Sequence, residues 1–215
     1  MPPTIHYVSV FNKEDTLIPQ SDLIDLEYAQ TKCPVHNHKQ SRTFVATSPI
    51  DFSLSIDRNN NKISCSRPEL LEYDDEHINS PKPVMQLVFP KFLFYTEEDN
   101  IWFEFNDHPM TALKNNFIAI SGWFNLSNWS RASSTAITLV DEKRCVIIEK
   151  GDPLFRVSFY PPNLDDSIVL KKETNTEVVN QWVEAHSKIT EQDWRPRLFS
   201  KTKTESKCPF SFLFK

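Results

Sequence analysis

Glycine is nearly absent from this chain: Gly122 and Gly151 are the two glycines in 215 residues. Phosphate-cradling loops and nucleophile turns place glycine where backbone must approach a ligand or take a positive φ. A dinucleotide fingerprint, a P-loop and a nucleophile elbow are all missing. Long apolar runs are missing too, because no stretch approaches the ~18 residues that a membrane span needs. The opening Met-Pro-Pro-Thr-Ile-His has neither the basic nor the apolar region of a signal peptide. The expectation is a cytoplasmic protein with no membrane partner. Basic charge is also scarce. With 24 Lys and Arg against 29 acids, the formal net charge is −5, so a broad surface for nucleic acid is not expected.

The four cysteines, Cys33, Cys65, Cys145 and Cys208, lie far apart and form no C-x-x-C pair. In a reducing compartment they read as free thiols, and no cofactor is expected. One alternative is open. The segment Cys33-Pro-Val-His36-Asn-His38 gathers three donors that a fourth could join around zinc. Its spacing matches no standard structural zinc site, and loop histidines are usually solvated. The His-Asn-His string does not indicate a nuclease, because that chemistry needs a ββα metal fold around its histidines.

What the chain does have is core material, 39% hydrophobic and 12% aromatic, enough for a domain that folds by itself. Strand-like runs recur at residues 5–11, 43–47, 50–56, 63–65, 84–89, 92–95, 101–105, 116–125, 135–140, 144–148 and 154–160, with turn residues between them. The turn at 57–62 predicts a hairpin, and the acidic turn at 97–100 predicts a second. Gly122 interrupts an apolar run and predicts a bulge or bend. Residues 66–82 are acidic and proline-bounded and predict a surface excursion. Its Asp74-Asp75-Glu76-His77 cluster reads as a solvated face. The pattern predicts a mainly β fold, an antiparallel sandwich or barrel.

A different periodicity begins at residue 175. Val178, Val179, Trp182, Val183, His186 and Ile189 share one helical stripe, which predicts a C-terminal amphipathic helix. From Lys188 onward the charge is about +4, against about −9 for the rest. Phe210, Phe212 and Phe214 alternate near the end, as in a strand added to a sheet edge. The expected organisation is a β-rich unit at 1–165, followed at 166–215 by the helix and a basic, Phe-ending tail able to self-associate or hold a protein partner.

The segment order resembles that of uncharacterised bacterial and phage proteins. The shared run is Cys33, then Ser48-Pro-Ile-Asp-Phe-Ser-Leu-Ser-Ile-Asp57, the Phe-rich stretch to Trp102, Asp107-His108-Pro109, Ile120-Ser-Gly-Trp-Phe124 and Ile148-Glu-Lys-Gly-Asp-Pro-Leu-Phe155. The resemblance covers about residues 30 to 162 and implies an all-β domain; a phage source, expected from composition, would place the chain in the host cytoplasm. The 16 lysines and 15 asparagines suit an AT-rich genome. Residues 146–155 are also similar to the late Gly-Asp strand of trimeric dUTPase and dCTP deaminase folds. Arg156 stands where that family places a glutamine, and the family's Gly-rich uridine hairpin and Ser-containing phosphate motif are not found.

Two functions compete. A non-catalytic binding or assembly module fits the aromatic residues Trp102, Trp123, Phe124 and Trp129, with Gly151, Asp152 and Arg156 as further ligand-binding candidates. The alternative is an enzyme acting on a small molecule or nucleotide, whose site gathers Asp51, Asp107, His108 and Arg131 from separate strands. Among these His108 is the leading acid–base candidate, because histidine titrates near neutrality and Pro109 rigidifies its loop.

Overall fold

Each long strand alternates its side chains between two faces, and that period of two decides what is core here. In β9 (Trp102–Asn106), Phe103 and Phe105 point inward while Trp102, Glu104 and Asn106 point out. In β14 (Pro153–Tyr160), Val157 and Phe159 face the core beside Phe105 and Phe103, and Arg156, Ser158 and Tyr160 take the other face. The structure, a computed structural model, describes residues 2–10, 17–19, 38–60, 62–72, 80–126, 132–178 and 180–181.

The described strands form four open sheets and no closed barrel. The largest has the order β11-β9-β14-β3-β2, with β11 at Gly122–Asn125, β3 at Thr43–Thr47 and β2 at Leu17–Pro19; all four of its pairings are antiparallel. A three-stranded sheet carries β15 (Val169–Lys172), β1 (Thr4–Ser9) and β8 (Phe92–Tyr95). It lies against the inner face of the first. Phe94 meets Phe103 and Phe159, each at 5.3 Å between ring centroids, and Phe92 meets Phe155 at 6.4 Å. Each fully buried ring of this kind contributes on the order of 1.5–3 kcal/mol, so this aromatic layer is a principal source of cohesion. A four-stranded sheet orders β10 (Phe117–Ala119), β12 (Ala136–Leu139), β7 (Met85–Leu87) and β6 (Leu71–Glu72). The fourth sheet orders β13 (Val146–Ile148), β4 (Phe52–Asp57) and β5 (Lys62–Cys65).

The fold is therefore mainly β and sandwich-like. The hairpin expected at residues 57–62 forms between β4 and β5. The second expected hairpin does not: β8 pairs with β1, whereas β9 pairs with β11 and β14. Both strands are rich in phenylalanine, and their rings meet across the sandwich, which puts the strands in opposing layers. The Asp141-Glu-Lys143 turn likewise separates strands of different sheets. One pairing departs from the antiparallel rule, since β15 runs parallel to β1. Leu70 and Leu71, within the expected surface excursion, are buried, and β6 pairs with β7.

Gly122 marks a change of sheet, with β10 before it in the four-stranded sheet and β11 after it in the five-stranded one. A Cβ there would meet Phe124 Cε2 at 2.7 Å. Gly151 has φ +94 in the turn before β14, a backbone that side chains rarely adopt. Residues 176–178 and 180–181 are helical, within the expected amphipathic helix. Trp182, His186, Ile189 and the tail with Phe210, Phe212 and Phe214 lie outside the described residues. Among the described residues no helix is long and apolar enough to cross a membrane.

Candidate functional site

The outer face of the five-stranded sheet follows from register. Trp123 lies opposite Glu104, Glu104 opposite Ser158, and Trp102 opposite Tyr160. These residues thus share one face on three adjacent strands, where cross-strand neighbours touch. Trp102 and Trp123 have centroids 6.0 Å apart, and Trp123 reaches over β9 to Tyr160 at 4.6 Å. The cluster keeps surface open to solvent: Trp123 is 52% exposed and Trp102 is 37% exposed. Tyr160 donates its hydroxyl hydrogen to Glu104 Oε2 at 2.7 Å. Burial, reinforced by the Glu104 carboxylate, pushes the Tyr160 phenol up to about 12. The cluster is thereby anchored at one end by a short, charge-assisted hydrogen bond.

Arg156 joins this face to a polar corner where β9 ends. Its Nε donates to Asp107 O at 2.6 Å. The next residue, His108, is the N-cap of the short helix α1 (Pro109–Leu113), with its Nδ1 accepting from Met110 N at 3.2 Å. Pro109 suits the first helical position because its missing N–H would have no partner there. Thr111 Oγ1 lies 2.6 Å from Asp107 Oδ1, which also accepts from Ala119 N at 3.2 Å. Both catalytic candidates are therefore engaged in fixing α1 and β10. His108 is 1% exposed. Its burial, together with the Arg156 charge, pushes its pKa down to about 4 against the opposing pull of Asp107. At neutral pH it is an uncharged, enclosed imidazole.

Asp51 sits elsewhere. Its Oδ1 accepts from Lys150 N at 2.7 Å, and Gly151 N donates to Ser48 O at the same distance. Asp152 binds Lys114 Nζ at 2.8 Å, Asn115 Nδ2 at 3.3 Å and Glu149 N at 3.0 Å. Asp51, Gly151 and Asp152 thus form a lock between two turns, tied to the end of α1 through Lys114. The fold brings Asp107, His108 and Arg156 together, places Trp102 and Trp123 side by side, and keeps Asp51 out of both groups. Trp129, Arg131, Cys33 and His36 lie outside the described residues. His38 Nδ1 faces Arg42 Nη2 at 3.4 Å, and among the described residues no group of three metal-ligating side chains forms.

Tyr160, Glu104 and Arg42 were not among the sequence-derived candidates. Alternation along β14 puts Tyr160 on the Arg156 face, but its meeting with Trp123 depends on how β11, β9 and β14 align.

No protein-family model matches this chain, and no curated protein matches it. The resemblance to bacterial and phage proteins therefore rests on the residues alone. Among solved structures the chain is similar to a dUTPase from Streptococcus mutans, with 8% identity over 56% of this chain and 77% of that chain, and a TM-score of 0.37. At that TM-score the likeness carries no argument about activity.

Proposed function

We propose that this chain is a non-catalytic binding module that docks a protein partner on the outer face of the five-stranded sheet. The observation that carries the reading is the cluster of tilted rings Trp102, Trp123 and Tyr160, held by Glu104 and with both tryptophans left open to solvent on paired strands. Trp, Tyr and Arg are the residues in which binding energy concentrates at protein interfaces. Here two tryptophans and a tyrosine share one face with Arg156, while Arg42 lies 6.0 Å from the Tyr160 ring centroid. A cluster on paired strands loses little conformational entropy on docking, which favours affinity.

The non-catalytic part of the reading is supported by the corner. An acid–base pair needs a titratable group within reach of substrate, whereas His108 caps a helix and Asp107 clips Thr111 and Ala119. Cys65 and Cys145 are free thiols, which suits a reducing, cytoplasmic setting.

The test compares the parent chain with a W102A/W123A double variant as immobilised bait in extract of the source cells, after circular dichroism shows that both are folded. The reading expects one stoichiometric companion that the parent retains and the variant loses. An identical set of companions on both baits overturns it.

A further inference from the structure

Over the Tyr160 ring lies a cation that no carboxylate among the described residues pairs with. Arg42 is 7% exposed, and its Nε and Nη1 are buried without a hydrogen-bond partner. His38 Nε2 is in the same condition. A guanidinium only donates, so His38 Nδ1, 3.4 Å from Arg42 Nη2, must be the acceptor. The neutral imidazole then carries its hydrogen on Nε2. Every orphaned atom of this pair is therefore a donor.

The pair is held firmly in place. Arg42 O accepts from Phe159 N at 2.9 Å, Ser41 Oγ donates to His38 O at 2.9 Å, and Thr43 Oγ1 donates to Lys39 O at 2.9 Å. These bonds fix the helical turn of residues 38–40 against the end of β14. Thr43 also meets Ser158 through Oγ1–Oγ at 3.0 Å. Among the described residues no carboxylate pairs with Arg42, and Glu104 on the same face accepts from Tyr160. Burying an unpaired cation is costly. A fold that keeps one, with Arg42 Nε and Nη1 and His38 Nε2 left as donors without an acceptor, is complemented by a ligand that brings negative charge and acceptor oxygens.

We propose that Arg42 and His38 form a binding site for an oxyanion, the phosphate or carboxylate group of a small molecule, which accepts from the guanidinium and from His38 Nε2. The site adjoins the aromatic face through Tyr160 but stands on Arg42 and His38 alone. It therefore holds or fails separately from the docking reading.

The test is calorimetric titration of the full chain with inorganic phosphate and, separately, with acetate, at constant ionic strength in chloride and a buffer free of other oxyanions. Three proteins are compared: the parent, R42M, and R67Q, which alters an exposed arginine beside β5. The expected result is one saturable site for at least one anion, weakened about tenfold or more in R42M and unchanged in R67Q. The tighter of the two anions identifies phosphate or carboxylate as the preferred group. In anion-free buffer, R42M is expected to unfold at the same or a higher denaturant concentration than the parent, because it removes a buried unpaired charge. Absence of binding by both anions overturns the proposal, as does binding that R42M retains. A strongly destabilised R42M overturns it as well, since the buried charge would then be compensated within the chain by more than the single bond to His38 Nδ1.

Discussion

Trp123 and Tyr160 meet ring to ring at 4.6 Å, their planes tilted by 36°, although they belong to strands on opposite sides of β9. Their contact runs over Glu104, which lies opposite Trp123 in the ladder and accepts the Tyr160 hydroxyl hydrogen. Ring contact and carboxylate thus brace each other, and the exposed tryptophan is presented by a rigid support.

Removing the Tyr160 hydroxyl tests this brace. Y160F is expected to lose about 1 kcal/mol of stability in urea unfolding, because Glu104 loses its donor in a half-buried setting. A second signature is alkaline. The folded phenol is pushed up to about 12 from 10.0, so its contribution is fully present below pH 10 and is lost as pH rises through about 12. The parent should show that decline, and Y160F should lack the Tyr160 share of it.

His108 gives the opposite dependence. Its folded pKa is pushed down to about 4 from 6.5, so the unfolded chain takes up the proton first. Stability from this group is present above pH 6.5 and is lost as pH falls towards 4. H108N retains a good N-cap side chain and should flatten that acid limb. Imidazole resonances followed by NMR should show His108 neutral at pH 5; titration near pH 6.5 would contradict its enclosure.

The two glycines should fail for different reasons. G151A places a side chain at φ +94 with nothing within 4 Å, so its cost is backbone strain of about 1–2 kcal/mol, and G151N should recover part of it. G122A puts a Cβ against the Phe124 ring, which stacks on Phe103 at 5.1 Å. It should cost about 1–3 kcal/mol, with the added F124L substitution relieving some of the loss. Urea midpoints for the four variants separate the two mechanisms.

Asp152 ties the turn before β14 to the end of α1. Burial opposes its ionisation, but Lys114, the Glu149 amide and Asn115 together hold its pKa below the ordinary aspartate range. D152A should cost about 2 kcal/mol at neutral pH, since it leaves several donors without an acceptor. With a depressed folded pKa, the parent's advantage is present above pH 3.8 and is lost as pH falls through the folded value. Equal stability of the parent and D152A at neutral pH would show that the lock carries no load.

Local structure was legible wherever side-chain alternation is strict. Trp102 to Asn106 and Arg156 to Tyr160 declare their two faces in the sequence, and Asp57 to Lys62 declares its hairpin. Pairing over long distances was less legible. The turn at 97–100 looks like a hairpin turn, yet β8 and β9 part because Phe94 packs ring to ring on Phe103 across the layers. For the site, Trp102 and Trp123 stood out by residue type. Tyr160, Glu104 and Arg42 did not, because their roles arise from the alignment of three strands and from the approach of residue 42 to residue 160. His108 stood out as a titrating histidine, whereas its cap and its burial, which explain its chemistry, depend on tertiary packing.

The central claim is that a partner covers the aromatic face, and hydroxyl-radical footprinting of the free and companion-bound chain tests it most directly. The account predicts that oxidation of Trp123, 52% exposed in the free chain, falls on binding, together with that of Trp102. Unchanged oxidation of both tryptophans in a complex that protects other residues would contradict it.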